Sequence, residues 1–204
     1  MSGHAQSNIA LPPLAPWMRN LLIGLFGLYV LELVLLNLGV PLDTLQLYSI
    51  GGGFQPWQFL TRFFIQGRAS AVGVMIALVV LFVILPSLPR LMTGRQWLDA
   101  LSTTAIVATI LPLLTDVFGL FPPGVHTGWL FLSMPTFVLF GLAQPRGTIN
   151  LFFVLPVPAM YVVWGSLVVA IVLLLAMPGP GSVELVAAWI GAVAWWHYRG
   201  PGKR

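Results

Sequence analysis

Six stretches of mainly apolar residues, each close to twenty residues long, constrain this chain more than any other feature. A helix needs about 20 apolar residues, at a rise of 1.5 Å each, to cross the hydrocarbon core of a bilayer. The spacing therefore predicts an all-α, polytopic membrane protein with six helices. In chain order the stretches are Leu21–Val40, Ala69–Leu91, Trp97–Leu120, Val125–Ala143, Ala159–Met177 and Ser182–Tyr198.

Charged side chains are too few for a water-exposed surface. Asp, Glu, Lys and Arg make up 7% of the chain, whereas a soluble domain carries about 25%. This composition excludes a soluble enzyme, a nucleic-acid-binding module and a disordered chain. Because cysteine is absent, disulfides and thiol nucleophiles are excluded as well. No H-E-x-x-H motif and no cluster of His with carboxylates occurs, so we expect no metal and no other cofactor.

The positive residues predict the orientation. A cytoplasmic N-terminus leaves only Arg62 and Arg68 outside, in keeping with the positive-inside rule, and six helices put both termini in the cytoplasm. We expect a flexible tail over residues 1–18, a membrane domain over residues 19–198 and a basic tail over residues 199–204. The compact chain predicts the bacterial inner membrane. The cytoplasmic cations are then Arg19, Arg90, Arg95, Arg146, Arg199, Lys203 and Arg204.

The longest connection, Pro41–Arg68, separates the first two predicted helices. It contains two amphipathic segments, Leu42–Ile50 and Trp57–Ile65, on either side of three consecutive glycines. In the second segment, aromatic residues are mixed with polar ones such as Gln58 and Arg62. We expect this element to lie in the headgroup region with its apolar side toward the hydrocarbon.

An imidazole and a hydroxyl are adjacent in His126-Thr127-Gly128, at the predicted outer start of the fourth helix. Two interpretations compete: a nucleophile activated by a base, and a helix cap formed by Thr127 beside an interfacial His126. Neighbouring residues on a helix point about 100° apart, so His126 is poorly placed as a base for Thr127. Capping is therefore the preferred interpretation. His197 is predicted on the opposite side of the bilayer.

Glu32 is an acidic residue deep within an apolar stretch, and intramembrane charges are functional candidates by default. It fits two roles: a proton carrier, or a neutral group bonded to a polar neighbour such as Asn37. A single carboxylate without an ionisable partner makes a poor relay. The packing role is therefore preferred.

Small residues form a stripe on the last predicted helix. Ala187 and Gly191 make a small-xxx-small pair that allows another helix to approach closely. In so small a bundle we expect this pair to pack the helix inside the fold.

Two segments carry a family resemblance. Residues 55–67 read QPWQFLTRFFIQG and residues 151–159 read LFFVLPVPA. They resemble two runs of the rhomboid intramembrane protease superfamily, one at the end of the first outer loop and one just before the fifth helix. The resemblance covers about residues 20–198. It implies a six-helix rhomboid-like bundle with a long outer loop between helices 1 and 2.

The catalytic motifs of that superfamily are altered in this chain. Its G-x-S-G serine is matched by Thr127, and the histidine of its A-H-x-x-G stretch is matched by Ala188. Its H-x-x-x-N pair falls on Ala71 and Met75. Losing one member of a Ser–His unit costs several orders of magnitude in rate, and losing an oxyanion donor costs about 10²–10³. The resemblance therefore implies a pseudoprotease with no catalytic residue.

Inactive members of the superfamily bind other integral membrane proteins, and the resemblance implies the same adaptor role here. The alternatives are a structural accessory subunit of a stable membrane complex and a residual hydrolase acting through Thr127. A transporter acting through Glu32 is a further class. Expected partners are membrane proteins and the lipid bilayer, with no nucleic acid. The predicted binding cavity is rimmed by Trp57, Arg62, His126, Thr127, Gly128 and Trp129.

Overall fold

A computed structural model describes residues 15–50, 53–66, 71–86, 91–126, 128, 133–151 and 155–201. The chain in these ranges is mostly helical. A 3₁₀ turn, Leu42–Leu45, and the one-turn helix α2, Gln58–Thr61, lie between the first two long helices. The long helices are α1 (Pro16–Asn37), α3 (Ala71–Ile84), α4 (Gly94–Val117), α5 (Ser133–Ala143), α6 (Ala159–Ala176) and α7 (Pro180–Arg199).

Three of these helices, α1, α4 and α6, are long and apolar enough to cross a membrane. The shortest of them has 18 residues, which at about 1.5 Å per residue gives about 27 Å, close to the thickness of a hydrocarbon core. Among the described residues α3 and α5 are apolar but shorter. The structure is thus compatible with a membrane protein, and it supplies three candidate spans.

The ends of the helices differ from the predicted ones. α1 begins at Pro16, inside the predicted tail, because proline is well suited to the first turn of a helix. α4 continues through Pro112 to Val117 without a break. The predicted basic tail contributes Arg199 to α7, and residues 202–204 lie outside the described ones.

The segment predicted to start the fourth helix is extended instead. Val125 forms an isolated antiparallel β-bridge with Tyr48, and the backbone N–H of His126 donates to the carbonyl of Leu47 at 2.9 Å. The described part of α5 begins only at Ser133. These backbone bonds tie the chain before α5 to the long connection after α1.

A small antiparallel hairpin departs from the all-α prediction. Strand β1, Thr148–Leu151, pairs with strand β2, Leu155–Pro158, in the register Thr148 to Pro158. It lies between α5 and α6 and overlaps one of the two segments that carry the resemblance, residues 151–159.

Helices α4 and α7 pack against each other along much of their length in antiparallel fashion. Gly191 of α7 lies against Thr104 and Val107 of α4, and the Trp195 indole donates to Asp99 at 2.9 Å. The C-terminal end of α4 therefore meets the N-terminal end of α7. The polar residues described below gather at this end of the bundle.

Candidate functional site

The segment around α2 turns its polar side toward the protein and its apolar side outward. Gln58, Arg62 and Gln66 are buried at a spacing of four residues, whereas Leu60 and Phe64 are largely exposed. This agrees with an amphipathic element, but the polar side packs on the bundle instead of facing water. Such an arrangement suits a lipid-facing segment, because polar groups in a bilayer must find partners inside the protein.

Gln58 anchors this segment to the 3₁₀ turn. Its side-chain carbonyl accepts from the backbone N–H groups of Gln55, at 3.0 Å, and Tyr48, at 3.3 Å. Trp57 is exposed, and its indole N–H donates to the carbonyl of Thr44 at 3.1 Å. The connection after α1 is thus a structured element built on backbone–side-chain bonds.

The most deeply buried charged group of the segment is Arg62. Its guanidinium forms an ion pair with Glu184 of α7, and the two side chains are 1% and 0% exposed. Arg62 also donates to the hydroxyl of Thr109 of α4 at 3.3 Å. Burial lowers the pKa of Arg62 to about 10, so the guanidinium stays charged at neutral pH. Arg62 joins the connection to both α4 and α7.

Glu32 of α1 makes the second bond to this segment. The backbone N–H of Gln66 donates to the Glu32 carboxylate at 2.7 Å, and the Glu32 side chain is buried. Asn37, considered as a partner from the sequence, instead donates to the carbonyl of Leu33 in its own helix. Glu32 thus bonds to a backbone group of this segment.

His126 and Asp116 form the third polar contact at this end. The imidazole Nε2 lies 3.9 Å from a carboxylate oxygen of Asp116, with both side chains almost fully buried. Neither ring nitrogen of His126 has a hydrogen-bond partner among the described residues. Burial, with a smaller effect from the Arg62 charge, lowers the pKa of His126 to about 3. The imidazole is therefore neutral at physiological pH.

Gly128 brings the two segments into direct contact. A β-carbon at this position would overlap the carbonyl oxygen of Ile65 and crowd the backbone of Gln66. The backbone before α5 thus passes as close to the end of the long connection as the absence of a side chain allows.

Of the six residues predicted to rim an open cavity, the structure brings together Arg62, His126 and Gly128. All three are buried, so they lie inside the packed end of the bundle and not at the rim of an opening. Trp57 is exposed, whereas Thr127 and Trp129 lie outside the described residues. Arg62 can be buried at this position because it forms an ion pair with Glu184, so that neither charge is left without a counter-charge.

The buried polar residues at this end of the bundle are called the polar cluster below; they are Glu32, Arg62, Gln66, Thr109, Asp116, His126 and Glu184. The sequence did not point to three of them, Gln66, Thr109 and Glu184. One signal was available, since Gln58, Arg62 and Gln66 recur every four residues within an aromatic run. Helical periodicity places such residues on one face. The partners Thr109 and Glu184 could be found only from the packing of α4 and α7.

The resemblance assigns the positions of a catalytic histidine and of two oxyanion partners to Ala188, Ala71 and Met75. Ala188 is fully buried in an apolar cluster with Ala108 and Met134. Met75 is 47% exposed on α3, and Ala71 is exposed as well. An imidazole with a pKa near 3 is also a poor general base, because efficient bases titrate near the working pH.

The remaining candidate residues lie elsewhere. Ala187 is fully buried, and Gly191 contacts α4, so the small-residue pair lies within the fold. His197 is exposed and lies beside Tyr198, about 20 Å along α7 from Glu184 at 1.5 Å per residue. No group of three His, Asp or Glu side chains within the described ranges is arranged to hold a metal ion.

No protein-family model, no curated protein and no solved structure matches the chain.

Proposed function

We propose that the chain is a non-catalytic, rhomboid-like membrane protein that binds other integral membrane proteins inside the bilayer. The observation that carries this proposal is the inside-out segment around α2. Its charged and amide side chains are buried against the bundle, while Trp57, Leu60 and Phe64 are exposed. An apolar surface next to a rigid polar anchor suits contact with another membrane helix.

The interior of the bundle supports the non-catalytic part of this proposal. Arg62 and Glu184 neutralise each other, and the alanine at the matched base position belongs to an apolar cluster. Breaking such a pair to bind substrate would leave two uncompensated buried charges, which is costly. The polar cluster therefore stabilises the position of the α2 segment, and the partner binds to the exposed surface of Trp57, Leu60 and Phe64.

The experiment is photo-crosslinking in native membranes from an ultraviolet-reactive amino acid at Leu60. A matched control carries the same amino acid at Leu98, which is similarly exposed. Leu98 lies near the N-terminal end of α4, away from the part of α4 that contacts Arg62. We expect membrane proteins to crosslink from position 60, and the crosslinks to be lost when Trp57→Ala and Phe64→Ala are added, because these changes remove much of the neighbouring apolar surface. Equal crosslinking from Leu98 would contradict a specific surface.

The same experiment separates the adaptor from the accessory subunit. Several partners at low occupancy indicate an adaptor, whereas one partner at fixed stoichiometry indicates a structural subunit. Labelling of Thr127 by a hydroxyl-reactive probe would instead favour the residual hydrolase.

We further propose that both termini lie in the cytoplasm and that the membrane is a bacterial inner membrane. Because the chain has no cysteine, single introduced cysteines report accessibility without background. Asp43→Cys should react with an impermeant maleimide on intact cells, and Arg95→Cys only after permeabilisation. The reverse pattern would invert the proposed orientation.

A further inference from the structure

An open groove lies on the lateral surface of the bundle between α1 and α3. Its volume is about 410 Å³, within the range of about 300–1,000 Å³ that is usual for ligand sites. Leu25 of α1 and Leu81 of α3 belong to the core cluster beneath it. The exposed residues that line the groove are Arg19, Ile23, Phe26, Met75, Val79 and Phe82.

Among the described residues that line the groove, Arg19 is polar and the others are apolar. It is exposed, and its guanidinium forms no hydrogen bond or ion pair with the described residues. A cation at the first lining position of α1, followed by two turns of apolar wall, complements a molecule with an anionic head and an apolar tail. Basic pockets between membrane helices bind anionic lipid headgroups in this way.

The shape of the lining favours an acyl chain over a partner helix. Helices that associate in bilayers approach each other over small residues such as Gly, Ala and Ser. None of these small residues is among the described residues that line this groove. Phe26, Met75 and Phe82 are bulky side chains along the groove, and a single flexible chain packs between such side chains more easily than a helix about 10 Å wide.

We propose that this groove binds one anionic phospholipid, with its phosphate against Arg19 and one acyl chain between α1 and α3. The site is separate from the polar cluster, because Arg19 and Glu32 are about 20 Å apart along α1 at 1.5 Å per residue. Lipid binding here and partner binding at α2 are therefore independent proposals.

The test is native mass spectrometry of the full chain, purified in mild detergent with equal amounts of phosphatidylglycerol and phosphatidylcholine. We expect one retained lipid and a preference for phosphatidylglycerol of about fivefold, because one arginine near an anionic lipid contributes about 1 kcal/mol. Arg19→Gln should retain the lipid but lose the preference. Arg95→Gln, which removes an exposed cation from α4, should behave as wild type.

A second pair of variants tests the groove itself. Val79→Trp fills the groove and should abolish lipid retention. Val172→Trp, at a similarly exposed position of α6, should leave lipid retention unchanged. An unchanged preference in Arg19→Gln, or an equal loss in Arg95→Gln, overturns the proposal. A Val79→Trp variant that keeps its lipid also overturns it, because the lipid then lies elsewhere on the protein.

Discussion

Arg62, just after α2, and Glu184, in the first turns of α7, form an ion pair whose two side chains are withdrawn from solvent. The pair joins a segment that carries an exposed apolar surface to the α4–α7 core, with Thr109 as a further contact. Because both charges are buried, neither can lose its partner without a large penalty. The ion pair thus fixes the position of the proposed partner-binding surface.

Removal of one member of this pair should destabilise the protein strongly. We expect Arg62→Met or Glu184→Leu alone to lower the free energy of unfolding in detergent by about 3–5 kcal/mol. The double variant should recover much of this loss, because no unpaired charge is left. The measurement is denaturant unfolding of the four proteins of the cycle.

The exposed pair Arg199–Asp99 provides the control for the buried one. Arg199→Gln should cost less than about 1 kcal/mol, since solvent screens exposed ion pairs. If Glu184→Leu costs no more than Arg199→Gln, the Arg62–Glu184 pair does not hold the segment in place.

The bond between Gln66 and Glu32 predicts an order of stability among variants. Glu32→Gln keeps an acceptor oxygen for the Gln66 N–H, whereas Glu32→Leu removes it and leaves a buried donor without that partner. We expect Glu32→Leu to lower the free energy of unfolding by about 1–3 kcal/mol more than Glu32→Gln does. Thermal unfolding of both variants checks the order, with Asn37→Ala as the control because Asn37 bonds only to its own helix. Equal melting temperatures would contradict the role of the bond.

The close approach at Gly128 makes this position intolerant of any side chain. Gly128→Ala places a methyl group against the Ile65 carbonyl, and we expect a loss of about 1–3 kcal/mol or more from overpacking. Gly165→Ala is the matched control, because a β-carbon there meets nothing within 4 Å and alanine favours a helix by about 1 kcal/mol. Circular dichroism melts should separate the two. A Gly128→Ala protein as stable as Gly165→Ala would rule out the close contact.

The pKa of His126 predicts a pH dependence of stability. The folded pKa of about 3 lies below the ordinary value of 6.5, so between these values the unfolded chain binds a proton that the folded chain does not. The free energy of unfolding should therefore fall on acidification, by about 1.4 kcal/mol per pH unit below about pH 6.5. Asp116 and Arg62 are the charged groups that face this imidazole.

Melting temperatures in detergent from about pH 7.5 down to about pH 5 measure this slope, above the range in which most carboxylates titrate. His126→Leu should flatten the curve, and the exposed His197→Gln should leave it unchanged. A wild-type curve as flat as that of His126→Leu would show that the imidazole accepts its proton without cost.

Much of the helical layout could be predicted from the chain alone, because the free energy of transferring a stretch into a bilayer depends mainly on its own composition. The α6 and α7 segments were placed to within about two residues at each end, whereas α1 begins about five residues before its predicted start. The start of α5 was not, since Val125 and His126 are held in extended conformation by Tyr48 and Leu47, which are distant in sequence.

The sequence by itself determined a helical, membrane-compatible chain with a polar stripe in its first connection. It could not say where that stripe points. Only the tertiary structure decided that Arg62 meets Glu184, that Gln66 meets Glu32, and that the aromatic side of the segment is left outside. The reason is physical: hydropathy sums local contributions, whereas the partner of a buried charge is set by which helices pack together, and the high cost of an unpaired charge then leaves one arrangement.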